Sequence, residues 1–252
     1  MQTAERVSSF DGSDNVIYQR HLVAYYAASA HIKGKLLEVG SGEGYGIPIL
    51  LNNCDEYLAV DKHKPANTNN FNDKFSFKKM NLPPLLFEDS IFDSLVSFQV
   101  IEHIEDDDTF VKELARVLKK GGKAVITTPN RLMSLTRNPW HVREYTWQQL
   151  KTLLEKYFSN VELLGVYGND EIDAYYEKNK ASVNRITRFD IFKLQYRLPR
   201  QLLQIPYDLL NRINRKNLAS NNKHLVNHIK WQDFTTKKAA ETCYDLLAIA
   251  TK

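Results

Sequence analysis

An α/β fold, a mostly parallel sheet with helices on both faces, is predicted by three features of this sequence. Strand and helix patterns alternate over the first 170 residues, the first strand runs into a glycine-rich turn, and the second closes on a carboxylate. Alternation of this kind implies crossover helices, which cover both faces of a parallel sheet.

Residues 14–31 repeat apolar side chains at helical spacing, with Asp14 where an N-cap belongs, and predict a helix. KLLEV (35–39) is a short apolar run that suits a buried parallel strand. A short helix over 44–52 and strands EYLAVD (56–61) and FSFKKM (75–80) follow. The Asn-rich link between those two strands contains Pro65 and predicts a reduced or irregular helix. IFDSLVSF (91–98) is the fourth strand and GKAVITT (122–128) the fifth. The helix between them, 105–120, starts on acids and ends in Lys-Lys-Gly-Gly, matching the helix dipole and a glycine stop. Thr146 caps a further helix through Phe158, and NVELLGVYG (160–168) is the sixth strand. Residues 183–218 predict two helices broken at Pro199 or Pro206, and YDLLAIATK (244–252) a last strand. The chain therefore divides, within one domain over 1–252, into a helical cap (1–34), a core (35–170), a basic helical insertion (171–240) and the last strand (241–252).

A chain of 252 residues that is 43% hydrophobic can bury a large core, and a quarter of it charged argues against extended disorder. No apolar run approaches the ~18–20 residues that span a bilayer. The N-terminal stretch lacks the apolar core of a signal peptide. Two cysteines, Cys54 and Cys243, are too few for a disulfide framework. Together these predict a cytoplasmic protein. The formal charge of +4 is uneven: residues 171–240 carry 14 Lys and Arg against 6 Asp and Glu, the rest 20 against 24.

The chemistry concentrates in LLEVGSGEGYG (36–46), where Gly40, Gly42 and Gly44 follow a strand at every second position. Such a turn lets backbone approach a ligand in the crevice beyond the strand ends. The dinucleotide fingerprint G-x-G-x-x-G does not fit: its third glycine would fall at Tyr45 or Ile47. Glu38 beside the loop would repel a diphosphate but suits a cationic ligand, such as a sulfonium with an α-ammonium group. Asp61, 21 residues after Gly40, ends the next strand where a carboxylate can accept from both ribose hydroxyls.

With LLEVGSGEGYG, YLAVD, FEDSIFDSLVSFQVIEHI and LKKGGKAVITTPN in this order over residues 36–130, the chain resembles the class I S-adenosylmethionine-dependent methyltransferases, in particular bacterial members that modify small molecules, quinones and glycans. NPWHVREYT (138–146) resembles a segment of glycan-associated members. The resemblance implies a seven-stranded, doubly wound Rossmann-like sheet whose antiparallel last strand is YDLLAIATK, and S-adenosylmethionine as cofactor. The Gly40–Gly44 loop, Ser41 included, would pack on its methionine part, with Glu38 orienting loop and ammonium group. Asp61 would hold the ribose and Lys62 lie near the adenine. Asn81 and Leu82 stand where the family usually presents an acid to the adenine amine, and Asn81 can still accept that bond. Phe98 and Gln99 would face the cofactor.

A hydroxyl acceptor needs a base, and His103 and His141 are the two candidates. Each has an alternative role, His103 in capping the next helix and His141 in shaping the pocket. Arg20, His21, Arg143 and Tyr145 are candidate acceptor-binding residues. Glu102-His103 is similar to a metal-binding arrangement of ubiquinone-biosynthesis O-methyltransferases. Gln99 replaces its earlier carboxylate, so no metal is expected. The insertion's basic and apolar residues suit a lid, a membrane-surface contact through 183–218, or an oligomer contact; nucleic acid is not expected. The function implied is methyl transfer to an oxygen, less readily a nitrogen, of a small molecule, a glycan or a lipid-linked glycan. The alternatives are an NAD-dependent oxidoreductase and a non-catalytic S-adenosylmethionine-binding scaffold.

Overall fold

Eight strands form in the computed structural model: β1 (Lys35–Val39), β2 (Glu56–Asp61), β3 (Phe75–Lys79), β4 (Phe92–Phe98), β5 (Leu118–Pro129), β6 (Asn160–Gly168), β7 (Phe234–Lys238) and β8 (Asp245–Thr251). They make one sheet in the order β3-β2-β1-β4-β5-β8-β6-β7. Neighbours from β3 through β5 pair parallel, while β8 runs antiparallel to both β5 and β6. The structure describes residues 7, 10–65, 71 and 73–252, so most of the Asn-rich link before β3 lies outside the described residues.

Alternate residues of the central strands feed opposite layers, as the pleat requires. Leu37, Val39, Leu95, Ala124 and Ile126 pack with the core under α3 (Asp107–Val117) and α4 (Trp147–Leu154). Leu36, Val96, Phe98 and Val125 pack on the other face with α1 (Asn15–Ser29) and the short α2 (Ile47–Leu50). Caps fix where these helices begin: the Asp106 carboxylate accepts from Thr109 N, and Thr146 and Gln149 form a capping box.

Three departures from the sequence reading have physical causes. The sheet has eight strands, because FTTKK (234–238) pairs antiparallel with β6 and covers its edge. Five half-polar residues show too little alternation to announce a strand, and their lysines suit an exposed edge. The helix expected to Lys120 ends at Val117, and Leu118 already pairs with Phe92 before a register shift. Gly121, at φ +75°, takes up the irregularity. Asp14 occupies the N-cap position of α1 without capping it. Its buried carboxylate instead faces Arg212, at 3.3 Å, and Arg215, at 3.0 Å.

Those arginines lie on α7 (Arg200–Asn221), which follows α5 (Asp170–Thr187) and the single turn α6 (Leu194–Arg197) and precedes α8 (Lys223–His228). The chain breaks at Pro199, whereas Pro206 is carried inside α7. Asn214 ties α7 to α5 through Ser182 and Asn179. A third apolar cluster, with Val16, Val23, Ile172, Val226 and Tyr244, joins α1, α5 and α8 to the sheet. No helix among the described residues is long and apolar enough to cross a membrane.

Candidate functional site

Strand order turns outward on either side of β1 and β4, and beyond their carboxyl ends lies the crevice such sheets use for ligands. Gly40 (φ +85°), Gly42 (φ +54°) and Gly44 (φ +76°) all hold left-handed backbone there. A Cβ on Gly40 would stand 2.3 Å from Val100 Cγ2, so only glycine lets the turn close on β4. A Cβ on Gly42 would meet nothing within 4 Å and would intrude on the crevice itself. Asp61 binds the two strand ends together: its carboxylate oxygens accept from Gly42 N and His63 N, each at 2.9 Å. Each oxygen keeps a lone pair for a ligand hydroxyl. Ser41 Oγ is buried and has no hydrogen-bond partner among the described residues.

These groups fit the nucleoside cofactor implied by the family resemblance: a cradle without side chains, a carboxylate with spare acceptor capacity and an orphaned hydroxyl. Lys62 and Asn81 are exposed, and Leu82 is half-buried, beside the ends of β2 and β3. Phe98 ends β4, its ring edge-on to Tyr25 at 4.7 Å between centroids. Gln99 follows at φ +55°, an uncommon conformation for a residue with a side chain. Its amide reaches Thr127 Oγ1, at 3.4 Å.

Glu38 is buried behind the loop, where the hydroxyls of Tyr25 and Tyr57 donate to its two oxygens at 2.8 Å. Burial raises its pKa to about 7 despite those two bonds. Its first role is thus to fasten β1 to α1 and β2 beneath the loop. Neither tyrosine was recognised from sequence, since nothing local marks them as partners of a residue 13 or 19 positions away.

Next to this crevice opens a cavity of about 720 Å³ that brings together Arg20, His21, Gln99, Glu102, His103 and His141 with the inner faces of α5, α6 and α7. The His103 and His141 rings meet edge-on at 5.0 Å. His103 Nδ1 lies 3.1 Å from the Trp140 carbonyl, which can only accept, so this nitrogen carries a proton and the neutral ring has its lone pair on Nε2. His141 Nδ1 lies 2.7 Å from Glu144 Oε1, and its Nε2 lies 2.9 Å from the Asn138 amide. This is an imidazole oriented by a carboxylate, able to hold a proton. Glu144 stands three residues after His141 in NPWHVREYT, a spacing that could have marked the pair from sequence.

One carboxylate oxygen of Glu102 and one ring nitrogen each of His103 and His141 lie within 4.8 Å of one another. The sequence reading counted only the first two, because the third ligand atom arrives from a segment some forty residues on. An oxygen and two imidazoles form a donor set of the kind that suits a divalent cation.

Of the acceptor-binding candidates, Arg20 and His21 line the cavity. Arg20 Nε sits 2.8 Å from buried Asp245, a residue overlooked in the sequence because it opens an apolar strand. His21 Nδ1 is 3.0 Å from Tyr45 Oη. Arg143 and Tyr145 are not brought to this cavity. Asp107, at the start of α3, takes both the Arg143 guanidinium and the Tyr145 hydroxyl, so the two pin the loop to that helix.

Residues 37–126 match a family model described as a methyltransferase domain. A "Probable S-adenosylmethionine-dependent methyltransferase" of Mycolicibacterium smegmatis is 34% identical over 184 residues, 68% of this chain and 72% of that one. A protein of Mycobacterium tuberculosis with the same description is 32% identical over 174 residues, 66% of this chain and 64% of its own length. The solved structure of YcgJ from Bacillus subtilis superposes with a TM-score of 0.55 at 16% identity, over 93% of this chain and 98% of that one, a likeness of fold.

Proposed function

Because this chain belongs to the class I S-adenosylmethionine-dependent methyltransferases, we propose that it moves the methyl group to a hydroxyl oxygen of a small molecule or glycan, a lipid-linked glycan included. The reading rests on one observation: two imidazoles, one of them backed by Glu144, stand at the wall of a cavity that meets the cofactor crevice at Gln99. S-adenosylmethionine, the family's cofactor, supplies a methyl already activated on a sulfonium, so the protein's part is positioning and proton handling. An alcohol must lose its proton as it attacks; His103 Nε2 is the group to receive it, and the His141–Glu144 pair can do so once Asn138 gives up its bond to His141 Nε2. A neutral amine needs no such base before attack. Asn211 and the Tyr176 ring, both at the cavity wall, add a hydrogen-bonding and a stacking group suited to a sugar.

The glycine turn leaves the nicotinamide alternative without support, since the third glycine of a diphosphate-binding loop would fall at Tyr45 or Ile47. Buried, unpaired thiols at Cys54 and Cys243 favour action in a reducing cytoplasm.

The test is release of S-adenosylhomocysteine with panels of sugars, lipid-linked sugars and other alcohols, set against amines, protein and RNA. Alcohol turnover is expected, with His103→Ala or His141→Ala lowering kcat about 10²–10⁴-fold while S-adenosylhomocysteine still binds. Turnover confined to amines and indifferent to both histidines would overturn the assignment.

A further inference from the structure

Eleven of the fifteen large apolar side chains that the described residues leave exposed fall between Ile186 and Ile213. Among them, Phe189 is 72% exposed, Ile191 79%, Phe192 69% and Ile205 78%. Soluble surfaces seldom gather so many apolar groups in one place without a partner. Arg185, Arg188, Lys193 and Arg197 are interleaved with them, all exposed and without an ion pair among the described residues. The two acids of the stretch are turned to other uses. Asp190 accepts from Leu194 N and Gln195 N at the start of α6, and Asp208 takes the Trp140 indole N–H at 2.9 Å. What reaches outward is therefore apolar and cationic.

We propose that residues 185–213 dock this protein on an anionic lipid surface, with the apolar side chains entering the headgroup boundary and the four cations meeting lipid charge. Charge decides against a second copy as the occupant. A two-fold contact through this face would set the same cations against themselves, since Asp190 is held by two backbone N–H groups and Asp208 by the Trp140 indole. Continuity with the site gives the contact a purpose. Ile186, Leu194, Leu202 and Leu210 belong both to the exposed patch and to the cavity wall, so lipid at this face borders the acceptor cavity. An acceptor with an apolar chain would then reach His103 and His141 along that wall without crossing water. This last step deepens the function proposed above and rests on it; the docking itself does not.

The full chain would be sedimented with phosphatidylcholine vesicles, with and without phosphatidylglycerol, alongside the double variant Phe192→Ser/Ile205→Ser. Neither residue lines the cavity, and thermal unfolding and S-adenosylhomocysteine binding would check that the variant is folded. Binding is expected only with the anionic lipid, weakening as salt rises, and about tenfold or more weaker in the double variant with cofactor-product binding unchanged. Equal binding to both vesicles, no binding to either, or an unaffected variant would overturn the proposal. So would self-association of the free protein that the double variant abolishes. Failure to bind S-adenosylhomocysteine with vesicle binding intact would count against the cofactor site and leave the docking surface standing.

Discussion

The two halves of this molecule are assembled in opposite ways. The cofactor crevice comes from a run of residues close in sequence, Glu38 to Gly44, closed by Asp61 on the adjacent strand. The cavity proposed for the acceptor gathers α1, the end of β4, the loop after β5 and helices α5 to α7, so its partners are up to some two hundred residues apart. A site made of backbone and one strand pair tolerates little change, whereas one made of long-range side-chain contacts can be refitted to new acceptors on the same scaffold.

Three further measurements sharpen or break that contrast. The largest effect concerns Glu38, whose native pKa near 7 lies above the ordinary value of 4.5. Between these pH values the native state holds a proton that the unfolded chain has released, so stability falls as pH rises through that window, by roughly 3 kcal/mol, and then levels. Denaturant unfolding as a function of pH should show this slope, and Glu38→Gln should flatten it. An unchanged slope in the variant would mean that the crevice is not fastened from beneath by this carboxyl. Next, Asp61→Ala should weaken S-adenosylhomocysteine binding by about 1–3 kcal/mol in calorimetry, since it removes a ligand acceptor and frees Gly42 N–H. Full retained affinity would show that the glycine turn holds its shape without its anchor. The smallest effect is that of Arg143→Ala. Its partly exposed ion pair with Asp107 should contribute no more than about 1 kcal/mol in thermal unfolding, with cofactor-product binding unchanged. A loss of binding would place the loop after β5 in the cofactor half after all.

The contrast also explains what the sequence disclosed. The glycine turn, Asp61 and the order of the first six strands were legible because their signals are local: strand periodicity, a glycine cluster and a fixed spacing. Asp14 looked like a helix cap because a cap is judged from the next few residues. Its real partners, Arg212 and Arg215, are 198 and 201 positions away. Likewise the approach of His141 to Glu102 and His103 depends on how the loop after β5 folds back, and Val142 N bonded to Glu102 O at 2.7 Å is a contact no pattern encodes. The short edge strand β7 was missed for a third reason: five residues without clear alternation give too brief a signal, and they pair because β6 offers an edge.

The place of β8 has a consequence for how the molecule is made. It is synthesised after β6 and β7 yet lies between β5 and β6, antiparallel to both. During translation β1 to β5 can therefore pair while β6 and β7 wait unattached, with the open edge of β5 exposed until β8 emerges. The nascent chain would pass through a stage with its cofactor turn formed and the helices of the cavity wall made but not yet anchored to the sheet through β8.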